Sequence, residues 1–143
     1  MEKLKNFINK HKFAIISLII IMIVAILYCL SKRSFHVDES LSFALSNHPT
    51  GWITYEPFGW FEKDFFSNYA VTDSPFNYAR VYNNQYWDVH PPLYYYLLHS
   101  ICSFFPYRFT IWFGLIINLF SFLISAILIY AIAYKLLKND KLA

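Results

Sequence analysis

Two long, uninterrupted apolar runs dominate the pattern of hydrophobic and polar residues along the chain. The first extends from Phe13 to Leu30 and the second from Phe109 to Tyr134, and neither contains a charged residue. A helix needs about 20 apolar residues to cross a hydrocarbon core of about 30 Å, so both runs are long enough. We therefore predict transmembrane helices at 13–30 and 109–134. A cleaved signal peptide is the alternative for the first run, but no small-residue cleavage site follows it.

Lysines lie at the two outer ends of this predicted hairpin. They precede the first apolar run and follow the second, at Lys3, Lys5, Lys10, Lys12, Lys135, Lys138 and Lys141. The positive-inside bias therefore predicts that the N-terminus (1–12) and the tail (135–143) are both cytoplasmic. Residues 31–90 then form a long loop outside the cytoplasm.

The composition supports a membrane protein and excludes several other classes. Of the 143 residues, 57% are hydrophobic and 15% are charged, which is too apolar for an ordinary soluble domain. The net charge of +3 comes from the termini, so the chain has no basic patch typical of nucleic-acid binding. Cys29 and Cys102 have no motif spacing, and we interpret both as small buried hydrophobic residues.

The loop between the apolar runs is rich in aromatic and acidic residues and is expected to be ordered. Residues 38–47 predict a short helix whose Leu41, Ala44 and Leu45 face the membrane. Residues 60–69 predict a second short amphipathic helix, whereas 71–85 read as irregular because of Pro75 and the many polar residues.

The segment 91–105 is apolar but too short to cross the membrane, so we place it at the outer surface as an interfacial or re-entrant helix. His48 and His99 are then simply surface and interfacial residues. The predicted fold is an all-α membrane hairpin with two spans and two or three juxtamembrane amphipathic helices. Most of the loop's tryptophan and tyrosine rings are expected in an aromatic belt at the headgroups.

Two short acid-bearing motifs could carry chemistry. Asp38 and Glu39 form an adjacent pair just beyond the first run, where a carboxylate could act as a general base or bind a divalent cation. An acidic pair is also common at helix starts simply as a cap. Asp88 and His90 form the second motif, just before a helix that Pro91 and Pro92 can begin.

The sequences FHVDES and DVHPPL, in this order within one outer loop, resemble the protein O-mannosyltransferases and their bacterial relatives, which are C-type, polyprenyl-phosphate-dependent glycosyltransferases. The resemblance extends over residues 35–134. It implies that Asp38 is the catalytic base or a metal-proximal acid that activates an acceptor hydroxyl, with Glu39 supporting the same acidic site and with a divalent cation as a potential cofactor. Asp88 and His90 would shape the substrate pocket. Arg108 would pair with the phosphate of the lipid-linked sugar donor, with an interfacial anchor as its alternative role.

Full-length members of that superfamily have many more transmembrane helices. We therefore expect this chain to be an N-terminal fragment of such an enzyme, inactive alone, or a subunit completed by another membrane protein. A non-enzymatic hairpin that binds or regulates another membrane protein is the alternative. A third hypothesis is an outer metal-binding module at Asp38, Glu39, Asp88 and His90, with His36 as a further ligand.

Overall fold

The computed structural model describes residues 1–49, 70–86 and 88–138. Within these ranges the chain contains helices and no strands, and six helices have defined bounds. They are α1 (Glu2–Lys10), α2 (Lys12–Ser31), α3 (Val37–Asn47), α4 (Tyr78–Tyr86), α5 (Leu93–Phe104) and α6 (Trp112–Leu137). The prediction of an all-α chain is confirmed for the described ranges.

Helices α2 and α6 are both long and apolar enough to cross a membrane. They have 20 and 26 residues and contain the two predicted spans almost completely. No residue of α2 is buried within the protein, and apolar side chains such as Ile16, Ile20 and Val24 are more than half exposed. Exposed apolar surface of this extent requires a cover, and lipid is the cover that its length fits.

The chain divides into two compact units, which we call unit 1 and unit 2. Unit 1 comprises Met1–Arg33 together with the chain from Asn118 onward. Within it, His11 Nδ1 lies 2.6 Å from the hydroxyl of Tyr130, and the His11 ring packs edge-on against Tyr134 at 4.9 Å. These contacts join the start of α2 to the last turns of α6, so the N-terminal end of α2 and the C-terminal end of α6 lie together in unit 1.

Unit 2 comprises Ser34–Ile117 and is built from α3, α4, α5 and the first turns of α6. Helix α5 packs against both α3 and α4. The larger core cluster contains residues from all of these elements except α4, namely Phe43, Ala44, Ala70, Leu98, Cys102, Phe113 and Ile117. A smaller cluster of Leu45, Val81 and Tyr95 joins α3, α4 and α5. Unit 2 thus has a hydrophobic core of its own.

Helix α3 forms where the sequence predicts it, but the orientation proposed for its apolar face is wrong. Ala44 and Leu45 are 0% and 6% exposed because α5 covers them, whereas Leu41 is 42% exposed. The sequence pattern identifies an apolar face on a helix but does not reveal whether lipid or another helix covers it. Here another helix covers most of it.

The prediction that 71–85 is irregular holds for its first part and is wrong for its second. Pro75 precedes the helix instead of interrupting it, and Asn77 Oδ1 accepts a hydrogen bond from Arg80 N at 3.2 Å, which caps α4. The apolar residue Val81 is fully buried and anchors this otherwise polar helix. The amphipathic helix predicted at 60–69 lies outside the described residues.

Candidate acidic site

The first acid motif forms the start of α3. His36 is the N-cap: its Nδ1 accepts a hydrogen bond from Asp38 N at 3.3 Å, and its own backbone N–H donates to Glu39 Oε2 at 2.8 Å. This reciprocal arrangement is a capping box, with histidine in the place usually taken by serine or threonine. Glu39 is therefore engaged in capping, whereas the Asp38 side chain is 80% exposed.

The second acid motif forms a compact pair. His90 Nδ1 lies 3.0 and 3.1 Å from the two carboxylate oxygens of Asp88, and Val89 N donates to Asp88 Oδ1 at 2.9 Å. The Asp88 side chain is only 7% exposed, whereas that of His90 is 64% exposed. The nearly buried Asp88 carboxylate is thus hydrogen-bonded to the exposed imidazole of His90.

Tyr95 connects the two motifs. Its hydroxyl donates to the Asp88 carboxylate and lies close to the Ser42 side chain. One turn earlier on α3, the carbonyl of Asp38 accepts a hydrogen bond from Ser42 Oγ at 2.8 Å. The structure therefore brings the Asp-Glu motif and the Asp-His motif to the same part of unit 2.

The neighbouring Tyr94 lies close to the other acid. Burial raises the pKa of Tyr94, and the negative charge of Glu39 raises it further. The Tyr94 hydroxyl also lies 2.9 Å from the position that a Cβ atom on Gly114 would occupy. The two consecutive tyrosines of α5 thus lie near different acids: Tyr94 is near Glu39, and Tyr95 is against Asp88.

The charge states of Asp88 and Tyr95 follow from their surroundings. Burial alone would raise the pKa of Asp88, but the hydrogen bonds from His90 and Val89 N–H outweigh it and hold this pKa below its usual value. Burial and then the Asp88 charge raise the pKa of Tyr95 to about 12. At neutral pH Asp88 is therefore a charged acceptor and Tyr95 a neutral donor.

Arg108 is the remaining residue of the predicted site. It is exposed in the connection between α5 and α6, and its backbone N–H donates to the carbonyl of Phe105 at 3.2 Å. The arginine that unit 2 uses internally is Arg80, which pairs with Asp73 and donates to the backbone carbonyl of Asn47 at 3.1 Å. The phosphate-binding role of Arg108 remains a prediction.

Asn47 is the centre of a buried polar network that the sequence does not reveal. Its Nδ2 donates to the carbonyl of Ala70 at 2.8 Å, and its Oδ1 lies 3.1 Å from His99 Nδ1. Both Asn47 and His99 are 0% exposed, so the prediction of His99 as an interfacial residue is wrong. Burial lowers the pKa of His99, which is consequently a neutral hydrogen-bonding group of the core.

The geometry gives limited support to a metal site. Within 1–49, 70–86 and 88–138, no group of three or more histidine, cysteine, aspartate or glutamate residues could hold an ion together. Glu39 already accepts from the backbone at the helix start, and Asp88 accepts from His90 and Tyr95. These acids are thus used in hydrogen bonds rather than arranged as a ligand shell.

Sequence reasoning missed Ser42, Tyr95 and Tyr94 as parts of this site. The available signal was the run of tyrosines directly after the HPPL sequence, which was interpreted as part of an apolar interfacial helix. Comparisons of the chain with protein-family models, with curated proteins and with solved structures find no match. The functional proposal accordingly depends on the chain's own residues.

Proposed function

We propose that unit 2 forms the acceptor side of a glycosyltransferase that takes a sugar from a polyprenyl-phosphate donor and transfers it to a hydroxyl group. In this proposal α2 and α6 cross the cell membrane, both termini are cytoplasmic, and unit 2 lies outside the cytoplasm. Further membrane helices, from the same or another polypeptide, enclose the donor lipid, because a two-helix hairpin offers too little surface to do so.

The observation that carries the proposal is the position of Tyr95, whose hydroxyl donates to Asp88 and lies close to Ser42, one turn after Asp38. Two motifs separated by about fifty residues in the sequence therefore lie near one tyrosine in a packed unit. Capping alone accounts for Glu39 but does not require the second motif. A shared site explains why an exposed carboxylate and a buried, histidine-bound carboxylate lie in the same region.

Each candidate residue has a separate role in the proposed reaction. Asp38, which is exposed, accepts the proton of the acceptor hydroxyl as the hydroxyl oxygen attacks the anomeric carbon of the sugar. The bond between that carbon and the phosphate oxygen breaks, and polyprenyl phosphate leaves with the electron pair, so the anomeric configuration inverts. Asp88 and His90 orient the acceptor, and Arg108 pairs with the departing phosphate.

A divalent cation does not enter this scheme. Asp38 and Glu39 are the predicted ligands, but the Glu39 carboxylate accepts from the His36 backbone, and no group of three or more histidine, cysteine, aspartate or glutamate residues in the described part of the chain could hold an ion. The residues therefore do not form a complete cation shell. The proposed proton transfer requires only the Asp38 carboxylate.

The proposal is tested by Asp38→Asn in the cells from which the chain comes, because any partner that completes the site is present there. The amide cannot accept the acceptor proton, so we expect loss of a sugar modification, by at least about 100-fold in rate. Mass spectrometry of envelope components is compared between cells with the wild-type chain, cells with the variant and cells in which the coding sequence is disrupted.

Glu2→Gln is the matched control, because Glu2 is an exposed acid of unit 1 and should leave the modification unchanged. Membrane abundance of each variant is measured in parallel. Unchanged sugar modification in the Asp38→Asn cells, at normal protein abundance, removes the catalytic role of Asp38. Unchanged modification in the disrupted cells removes the glycosyltransferase proposal itself.

A stripe of exposed tyrosines on α4 supports the second candidate, a non-enzymatic hairpin that binds another membrane protein. Tyr78, Tyr82 and Tyr86 recur every four residues and are 41%, 59% and 66% exposed. Such a stripe fits a protein or headgroup surface. If this candidate is correct, Tyr82→Ala impairs function in the cells whereas Asp38→Asn does not, which is the reverse of the enzyme's pattern.

A further inference from the structure

Helix α1 has an apolar face that the protein does not cover. None of its residues is buried. Leu4, Phe7 and Ile8 follow one another at helical spacing on one side and are 63%, 58% and 45% exposed. At about 100° per residue, the opposite side of the helix carries Glu2, Asn6 and Asn9. The helix is thus divided lengthwise into an apolar and a polar side.

Lysines lie at the two borders between these sides. By the same helical geometry, Lys3 and Lys10 lie along one border and Lys5 along the other. A lysine in this position can keep its ammonium group in the headgroup region while its methylene chain follows the apolar side downward. This arrangement is typical of a helix that lies in the plane of a membrane surface.

Unit 1 gathers further positive charge at the same end. The hydrogen bond between His11 and Tyr130 brings the start of α2 beside the last turns of α6. The lysines of both chain ends consequently share one side of the hairpin, namely Lys3, Lys5, Lys10, Lys12, Lys135 and Lys138. Within the described residues of this end, Glu2 is the single acid. A basic surface of this density is complementary to anionic phospholipids.

We propose that α1 lies in the headgroup layer of the membrane that α2 crosses, with its Leu4–Phe7–Ile8 face in the acyl boundary and with Lys3 and Lys5 bound to anionic phospholipid headgroups. The ammonium of Lys10 lies over the Tyr134 ring, 5.5 Å from its centroid. Helix α1 is separated from α2 at His11, a non-helical turn residue with φ −112° and ψ 24°, so the two helices need not share an axis. This surface is independent of the acidic site in unit 2.

The test places a nitroxide at Ile8→Cys on the apolar side and, separately, at Asn6→Cys on the polar side of the full-length chain. Cys29→Ser removes the native thiol in α2, whereas Cys102 is 1% exposed and its pKa is raised to about 11 by burial, so it can stay. An unsubstituted Cys29→Ser chain measures residual labelling of Cys102. The chain is reconstituted in nanodiscs of phosphatidylcholine alone or with added phosphatidylglycerol.

We expect oxygen, which concentrates in lipid, to relax the label at position 8, and a water-soluble nickel complex to relax the label at position 6. With phosphatidylglycerol the label at position 8 lies about 5–10 Å below the headgroups. In phosphatidylcholine alone, or in the Lys3→Gln/Lys5→Gln variant, this depth decreases. Glu2→Gln, on the polar side of α1, is the control. We expect it to leave the depth of the label at position 8 unchanged or to increase it.

Two results overturn the proposal. Equal access of the nickel complex to both labels in the anionic membrane means that α1 does not enter the membrane surface. A depth at position 8 that is the same in both lipid compositions and in the lysine variant means that anionic headgroups are not the partner. Because neither measurement involves sugar transfer, the result is separate from the test of Asp38.

Discussion

At the scale of single residues, the two acid motifs differ most in exposure. The Asp38 side chain is 80% exposed, with its Oδ2 3.3 Å from His36 Nδ1, whereas Asp88 is nearly buried and surrounded by donors. Hydrogen bonds from His90, Val89 N–H and Tyr95 keep the Asp88 carboxylate charged and fix its orientation. Such a carboxylate is suited to orienting a substrate hydroxyl rather than to exchanging protons. The exposed Asp38 is the better base.

The lowered pKa of Asp88 predicts a loss of stability in acid. Its folded-state pKa lies below its ordinary value of 3.8, so its contribution to the free energy of unfolding is complete above that value and is lost as the pH falls through the folded-state pKa. The pKa of Asp73 is lowered chiefly by its hydrogen bond from Arg80, so Asp73 also contributes stability that is lost in acid. Thermal unfolding in detergent, followed from neutral pH into this acid range, measures the effect.

Asp88→Asn should lower the stability of unit 2 at neutral pH by about 1–3 kcal/mol, because a charged acceptor of three donors becomes an amide. It should also remove part of the acid dependence, since the amide does not titrate. Asn83→Asp on the exposed face of α4 is the control, because it adds an acid outside this network. A variant with the same acid dependence as the wild-type chain is incompatible with the role given to Asp88.

His99 predicts a second pH dependence, in a higher range. Because burial lowers its folded-state pKa below 6.5, the unfolded chain takes up a proton first as the pH falls. Stability therefore decreases from about pH 6.5 downward until the folded-state pKa is reached. His99→Gln should abolish this slope near pH 6 while keeping an amide donor for Asn47. A slope that persists in the variant assigns it to another group.

At the scale of elements, the sequence predicts the long helices and the start of α3 well. Their signals are local: uninterrupted apolar runs, and an acidic first turn after His36. It does not predict α4, whose sequence is mostly polar and whose stability comes from Val81 and the capping Asn77. It also assigns Ala44 and Leu45 to lipid, because an apolar helix face looks the same whether lipid or α5 covers it.

The candidate site was predictable only as separate pieces. Asp38, Glu39, Asp88 and His90 were identified from their motifs, but their connection through Tyr95 is a tertiary contact between α3, α5 and the segment before α5. Nothing in the spacing of about fifty residues indicates that contact. Glu39 as a capping residue, by contrast, was one of the two interpretations the sequence left open.

The contact of Tyr94 on α5 with the first turn of α6 predicts a specific coupling between Gly114 and Tyr94. A Cβ atom at position 114 would meet the Tyr94 hydroxyl at 2.9 Å, so Gly114→Ala must displace that ring. In a Tyr94→Phe background the hydroxyl is gone, and the alanine should stabilise α6 by up to about 1 kcal/mol through its helix propensity. In the wild-type background we expect less stabilisation, or a net loss.

A double-mutant cycle of the two changes measures this coupling through the free energy of unfolding. Ser121→Ala, on an exposed part of α6, controls for general effects of substitution in this helix. Equal effects of Gly114→Ala in both backgrounds mean that Tyr94 does not pack against Gly114. Loss of the proposed transfer activity in Gly114→Ala, restored in the double variant, would additionally link Tyr94 to the acidic site beside Glu39.

At the scale of the whole molecule, the hairpin predicts which residues reagents can reach from outside an intact cell. Asn83→Cys lies on the exposed face of α4 in unit 2, and Lys138→Cys follows α6. In a Cys29→Ser background, an impermeant maleimide should label position 83 in intact cells and position 138 only after permeabilisation. The measurement is the fraction of each variant that is labelled.

Labelling of position 138 from outside overturns the predicted orientation of the tail. Protection of both positions in intact cells instead places unit 2 in the cytoplasm. The second result also removes the extracytoplasmic glycosyltransferase proposal, whereas the lipid contact proposed for α1 requires only that the chain be inserted in a membrane.

The hydrogen bond of 2.8 Å from Asn47 to the carbonyl of Ala70 has a consequence for how this molecule can change during evolution. It joins the end of α3 to a residue 23 positions further along the chain. Asn47 also contacts His99, its carbonyl accepts from Arg80, and it is 0% exposed. A buried polar group with several partners tolerates replacement poorly, so we expect position 47 to vary little while exposed positions of unit 2 diverge.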